Sequence, residues 1–229
     1  MKFLGWIVFS CGLMSFIEHQ VHARLMHRRN FLSERSAKYK RVFESHAIVH
    51  HKHYSKIFHD EPVPPGEDKE IRLTVHKAPI KGLPAALILA CFSWKAAAAF
   101  TAVITAHHWI WNKIHLEMHK PEQRKFSKWP VYRFLARYHW LHHRYPDKNF
   151  NVVFPFADYV LGTVAKATPE DERAMILEFE SNQVAADAAD AVSTGLPGEK
   201  NVASVSADAS VPNPAPQPVG TSATVDLTA

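Results

Sequence analysis

The stretch PVYRFLARYHWLHHR, residues 130–144, decides the fold. A proline opens it, where a helix can spare an amide hydrogen, and no breaker follows before Arg144. A helix turns about 100° per residue, so His139, His142 and His143, at spacings of three and four, present three imidazoles from one face. Upstream, His115-Leu-Glu-Met-His119 repeats the four-residue spacing just before Pro121 closes its helix. Further back, His46-Ala-Ile-Val-His50-His51 puts His46 and His50 on one face, with His51 a step round. The first cluster, His22-Ala-Arg-Leu-Met-His27, fits a regular helix less well, because its five-residue spacing is about 140° of turn. Either the two side chains serve different metals, or a local widening of the helix brings them together; by spacing alone His19 and His22 are the tighter pair.

All sixteen histidines fall between His19 and His143. General enrichment would scatter them, so their confinement points to a site. Neutral imidazole suits iron, zinc, copper and nickel, whereas calcium and magnesium prefer oxygen. The ten histidines of the four clusters exceed what one ion accepts. Two ions, each with about five ligands and an open position for O2 or a substrate oxygen, is the natural count. Outside the clusters, Glu18 precedes His22 by one turn and reads either as an acceptor that orients it or as a solvated acid at the helix end. His107 and His108 belong to a substrate entrance or to interfacial packing, and His59 and His76 read as surface residues.

The body of the chain is basic and apolar. Residues 1–167 carry 25 bases against 12 acids, which favours anionic partners, and the apolar runs favour lipid headgroups over nucleic acid. The uncharged run Phe3–Ile17, at about 1.5 Å per residue, falls short of a hydrocarbon core of about 30 Å, and its helix can continue into water through the first histidines. The basic residues that follow, Arg24 to Arg41, assign that side to the cytoplasm. Ser33 to Phe58 reads as one surface helix, Glu61 to Gly66 as a turn, and Ile71 to Val75 as a short strand. The second apolar region reads as a helical hairpin, Pro84–Trp94 inward and Ala96–Met118 outward, which returns every histidine cluster to the same face. Trp109, Trp111, Trp129 and Trp140 suit the headgroup zone. Cys11 and Cys91 lie in apolar runs and read as buried free thiols. The expected architecture is all-α: one N-terminal membrane span plus a hairpin under a cytosolic histidine cap (1–167), a short helical extension (168–180) and a disordered tail (181–229).

At the four clusters the chain resembles the fatty acid hydroxylase/sterol desaturase superfamily, whose histidine boxes follow the same order. Behind the last box, Asn149-Phe150-Asn151, Asp158 and Gly162-Thr163 are similar to that superfamily's closing segment. The resemblance covers about residues 18–163. It implies a helical membrane anchor, two irons, O2 as oxidant, and hydroxylation or desaturation of a lipid such as a fatty acyl chain, sterol or carotenoid. It implies as ligands His22, His27, His46, His50, His51, His115, His119, His139, His142 and His143, with Asp158 as a supporting carboxylate. The second box has three intervening residues where two are commoner, which leaves His53 as an alternative to His51.

No flavin-type glycine motif, iron–sulfur cysteine set or haem domain accompanies the boxes, so electrons are expected from a separate ferredoxin, cytochrome or reductase. Two rival readings are a divalent-metal transporter and a non-enzymatic membrane adaptor. A transporter would carry polar residues mid-helix, whereas the apolar runs here hold no acid; an adaptor has no use for four histidine clusters.

Overall fold

Apolar composition makes three helices pack side by side. Phe3–Val21 forms α1, Ala78–Ala90 forms α5, and Trp94–His119 forms α6, the last two joined by a tight turn as a hairpin. In this computed structural model residues 2–61 and 72–194 are described, with side chains as far as residue 181. Among them every regular element is helical and there is no strand. Met14, Leu89, Phe100 and Ile104 form the core of the bundle. Gly82 lets α5 approach α6 closely: a Cβ there would lie 2.9 Å from Ile104 Cδ1.

Above the bundle lie the short helices α2 (Phe31–Arg35), α3 (Ala37–Phe43) and α4 (His51–Tyr54), then α7 (Pro130–Arg144), α8 (Phe156–Leu161) and α9 (Pro169–Thr194). α7 starts and stops where its sequence places it, and it buries Leu135 and Ala136 on the same side as its histidines. A second core of Phe58, Trp111, Met118, Leu135 and Val152 fills the space between α6, α7 and the loops. The segment after α7 returns to α1. Ser15 donates to the Phe154 carbonyl at 2.6 Å and accepts from the Ala157 amide at 2.9 Å, which seats α8 against α1.

Several expectations need correction. Ser33–Phe58 is not one helix: the extended backbone of Ser36 breaks it, and a π-helical turn (Glu44–His50) separates α3 from α4. Residues 72–74 are irregular and Val75–Lys77 is a 3-10 turn, because Asn112 takes both backbone groups of Leu73 that a strand partner would use. α5 begins at Ala78, with Pro84 inside it. Cys11 and Cys91 are exposed. Trp111 is buried and Trp140 packs on the core, leaving Trp109 and Trp129 as exposed rings. α9 continues past Glu180 to Thr194, and the turn read at Pro62–Gly66 lies outside the described residues.

The membrane spans also differ. Among the described residues no helix is long and apolar enough to cross a membrane. The physical reason is visible in each: α1 reaches Glu18 and His19 within its length, α5 has 13 residues (about 20 Å), and α6 carries His107 and His108 near its middle.

Candidate metal centre

Two of the histidine clusters depend on a departure from α-helical geometry. α1 ends in a π-helical turn, His22–Met26, closed by a bond from the His27 amide to the His22 carbonyl at 3.1 Å. An i→i+5 bond aligns residues five apart, so His22 and His27 meet, with ring centroids 5.0 Å apart. The second π turn does the same for His46 and His51, where the His51 amide bonds to the His46 carbonyl. The His46 and His50 rings still share a face, stacked at 5.0 Å, but the ligand nitrogens of His46 converge with those of His51 while those of His50 converge with His115, His119 and His139. His19, the tighter partner of His22 by spacing alone, turns away to Thr163 Oγ1 at 3.0 Å.

The result is two groups of converging nitrogens. His22, His27, His46, His51 and His142 form one, and His50, His115, His119 and His139 the other; in each, the ligand atoms lie within 4.8 Å of one another. The tenth histidine, His143, sits beside the second group, with Nε2 3.2 Å from His139 Nε2, and its ring stacks on His51 at 4.4 Å. All are buried except His27, which is partly so. His53, the alternative to His51, is exposed and bonded to Asp60 at 3.1 Å.

Several rings are held from behind. His22 Nδ1 donates to the Phe150 carbonyl, His142 Nδ1 to the Lys148 carbonyl at 2.6 Å, and His119 Nδ1 to the Phe58 carbonyl at 3.1 Å. A carbonyl only accepts, so the proton sits on Nδ1 and the inward Nε2 of each neutral ring is a lone pair. These lone pairs face other ring nitrogens: His22 to His46 at 2.7 Å, His142 to His27 and to His51 at 3.1 Å, His119 to His139 at 3.0 Å. One cation satisfies all the lone pairs of a group at once, which hydrogen bonds among converging nitrogens cannot. The spacing fits too, since ligands at right angles on metal–nitrogen bonds of about 2.1 Å stand about 3 Å apart. His50 has neither ring nitrogen hydrogen-bonded although it is buried, a state that coordination would relieve.

Electrostatics keeps the rings unprotonated. Burial, followed by the charge each would feel from its neighbours, holds His22, His46, His50, His119, His139, His142 and His143 well below the usual imidazole range. The same causes bring His51 to about 3. Neutral imidazole is the form that binds a metal.

No protein-family model, curated protein or solved structure matches this chain.

Glu18 and Asp158, the two carboxylates expected behind the ligands, are both buried but touch no ligand ring directly. Glu18 accepts from Asn151 Nδ2 at 3.0 Å and the Val152 amide at 3.1 Å, and lies 3.2 Å from His107 Nε2. Asp158 accepts from the amides of Phe150 at 3.0 Å and Asn151 at 2.7 Å and from Thr163 Oγ1 at 2.6 Å. Both therefore fix the loop whose Phe150 carbonyl orients His22. Three features escaped the sequence: the backbone carbonyls, which carry no residue signature; Trp111, stacked under His115 at 4.0 Å; and Tyr54, whose ring covers His119 at 4.0 Å. Glu117, unassigned from sequence, is buried and binds Arg124, Ser127 and the Glu122 amide, which tie the end of α6 to the following loop.

Proposed function

We propose that this chain is an O2-dependent, non-haem di-iron oxidoreductase that hydroxylates or desaturates a lipid. The observation that carries the reading is the convergence of nine imidazoles from four distant segments into two adjacent groups of inward-facing nitrogens, with His143 beside the second. The donor set alone suits iron, zinc, copper or nickel; iron follows from the resemblance to the fatty acid hydroxylase/sterol desaturase superfamily. Iron bound there supplies O2 activation and the reactivity needed to take hydrogen from an unactivated C–H bond. In hydroxylation one oxygen atom enters the substrate and the other leaves as water; in desaturation two hydrogens leave the substrate and both oxygens become water. Either balance draws two electrons and two protons from outside, so a separate ferredoxin, cytochrome or reductase is the partner.

The protein's own residues position and shield. His22, His27, His46, His51 and His142 hold one ion, and His50, His115, His119, His139 and His143 the other. The carbonyls of Phe58, Lys148 and Phe150 fix the rings, and Trp111 and Tyr54 close the centre against water.

For the membrane, an apolar surface supports insertion from one face rather than crossing. Phe3, Leu4, Val8 and Phe9 on α1, with Leu83, Leu87, Ile88 and Phe92 at the hairpin, are exposed on the bundle beneath the histidines. Such a surface is costly in water and at home in one leaflet. The basic segment Arg24–Arg41 then meets anionic headgroups on the cytoplasmic side.

The test is expression of the full chain in a lipid-rich host, with host lipids compared by mass spectrometry. A lipid gaining one oxygen indicates hydroxylation, and one losing two hydrogens indicates desaturation. An unchanged lipid profile from an iron-loaded protein supplied with an electron donor would count against the reading. A divalent-metal transporter would instead move metal into sealed vesicles without altering any lipid.

A further inference from the structure

A cavity of about 320 Å³ opens between α1, α3, α5 and α6. Its walls are aliphatic where the bundle lines it, with Met14, Ile17, Val21 and Ile104, and they include His22, one of the converging rings, and Trp111. Its rim carries Lys38 and Lys81 with Tyr39. Among the described residues neither ammonium has a carboxylate within ion-pair distance. Glu18, the acid in the wall, is already engaged by Asn151, Val152 and His107. Burial, followed by the positive charges of Lys38 and Lys77, holds Lys81 below its usual range. An adjoining groove continues the rim and adds Arg41, Arg72 and Lys77.

We propose that this cavity seats a single-chain anionic amphiphile, its headgroup against Lys38 and Lys81 and its chain along Met14, Ile17 and Ile104 past His22. This rests on the di-iron reading above and narrows its substrate class: the lipid carries a negative head, so a sterol or a hydrocarbon carotenoid does not meet the rim. A few hundred Å³ of apolar space with a small number of charged groups at one end is the ordinary form of a ligand site. Carboxylate and phosphate heads share the chemistry that two lysines recognise.

The test uses the full-length, metal-loaded chain in neutral-lipid nanodiscs with a diazirine-bearing dodecanoic acid as photoprobe. Peptide mass spectrometry should place the label on α1 between Met14 and Met26 or on α6 between Ile104 and Trp111. Unlabelled dodecanoate or dodecyl phosphate should compete, the stronger of the two identifying the headgroup, and dodecanol should compete about ten-fold more weakly. Lys38→Gln and Lys81→Gln should each lower dodecanoate labelling about ten-fold, as loss of one charge-assisted contact does, while labelling by a diazirine dodecanol stays unchanged. Equal competition by dodecanol, or labelling that ignores both substitutions, would overturn the proposal. Metal content measured on the same samples separates the two readings. Two ions retained without head-selective labelling defeats the amphiphile alone, and head-selective labelling of a chain that holds no metal defeats the di-iron centre instead.

Discussion

The two halves of the histidine cluster rest on different helical geometry, although α7 and the second π turn supply rings to both. The half holding His22, His27, His46, His51 and His142 takes four of its five rings from π turns, with partners five residues apart. The half holding His50, His115, His119, His139 and His143 takes its pairs from α6 and α7, where partners stand four apart. A π turn is rare and less favourable than the α-helix it interrupts, so it persists where something compensates it. Here the compensation is convergence: the extra residue per turn swings His51 to His46 and leaves His50 to the other half. Apart from His50, which the second π turn delivers, regular helices suffice for the second half because α6 and α7 pack beside each other on Met118 and Leu135.

The largest test of this division is removal of one ligand from each half. His142→Ala should leave one of two metal equivalents and lower product formation at least about 100-fold, and His119→Ala should do the same while retaining the complementary ion. Metal analysis with lipid turnover checks both; loss of both ions from either single variant would mean that the halves are one site.

Acid should act on both halves together. Burial and mutual repulsion lower the folded-state pKa of these histidines, so the unfolded chain binds more protons below its own value of about 6.5. The folded state is free of this penalty above that pH and loses stability as pH falls beneath it, by up to about 1.4 kcal/mol per pH unit for each histidine that stays neutral. Denaturant melts of the metal-free chain between pH 7.5 and 5.5 should show a steep decline; a flat profile would contradict the neutral cluster.

Asp158→Asn separates the halves more gently. It removes a charge from the loop that aims the Phe150 carbonyl at His22 and should weaken only the first ion, by about ten-fold. Competition with a chelator measures this, and equal weakening of both ions would remove the role given to that loop. Gly82→Ala should lower stability by about 1–3 kcal/mol through its clash with Ile104, leaving metal content intact. The smallest effect belongs to His53→Ala: paired with Asp60 at the surface, it should leave both ions and turnover unchanged, whereas loss of an ion would exchange it for His51.

The legibility of these halves in the sequence follows the same division. The second half and α7 could be read directly, because spacings of three and four map onto a regular helix. The first half could be read only as an alternative, a widened turn at His22–His27, and the matching turn at His46–His51 was hidden by His50, which offers a false regular partner. Ser36 carries no breaker signature, yet its extended backbone ends the helix expected to run on to Phe58. Glu18 stands at helical spacing from His22, but the closing loop takes its oxygens instead, through Asn151 and the Val152 amide. Apolar composition identified the helical bundle without fixing its length relative to a bilayer, because His107 and His108 interrupt α6 from a buried face that a linear hydropathy reading does not distinguish.

The most direct measurement is X-ray absorption and metal analysis on the full chain purified anaerobically from iron-supplemented cells. Two iron equivalents per chain, each in a nitrogen-rich shell of imidazoles, is the expected result. One equivalent or none, or a shell dominated by oxygen or sulfur ligands, would contradict the two-ion centre.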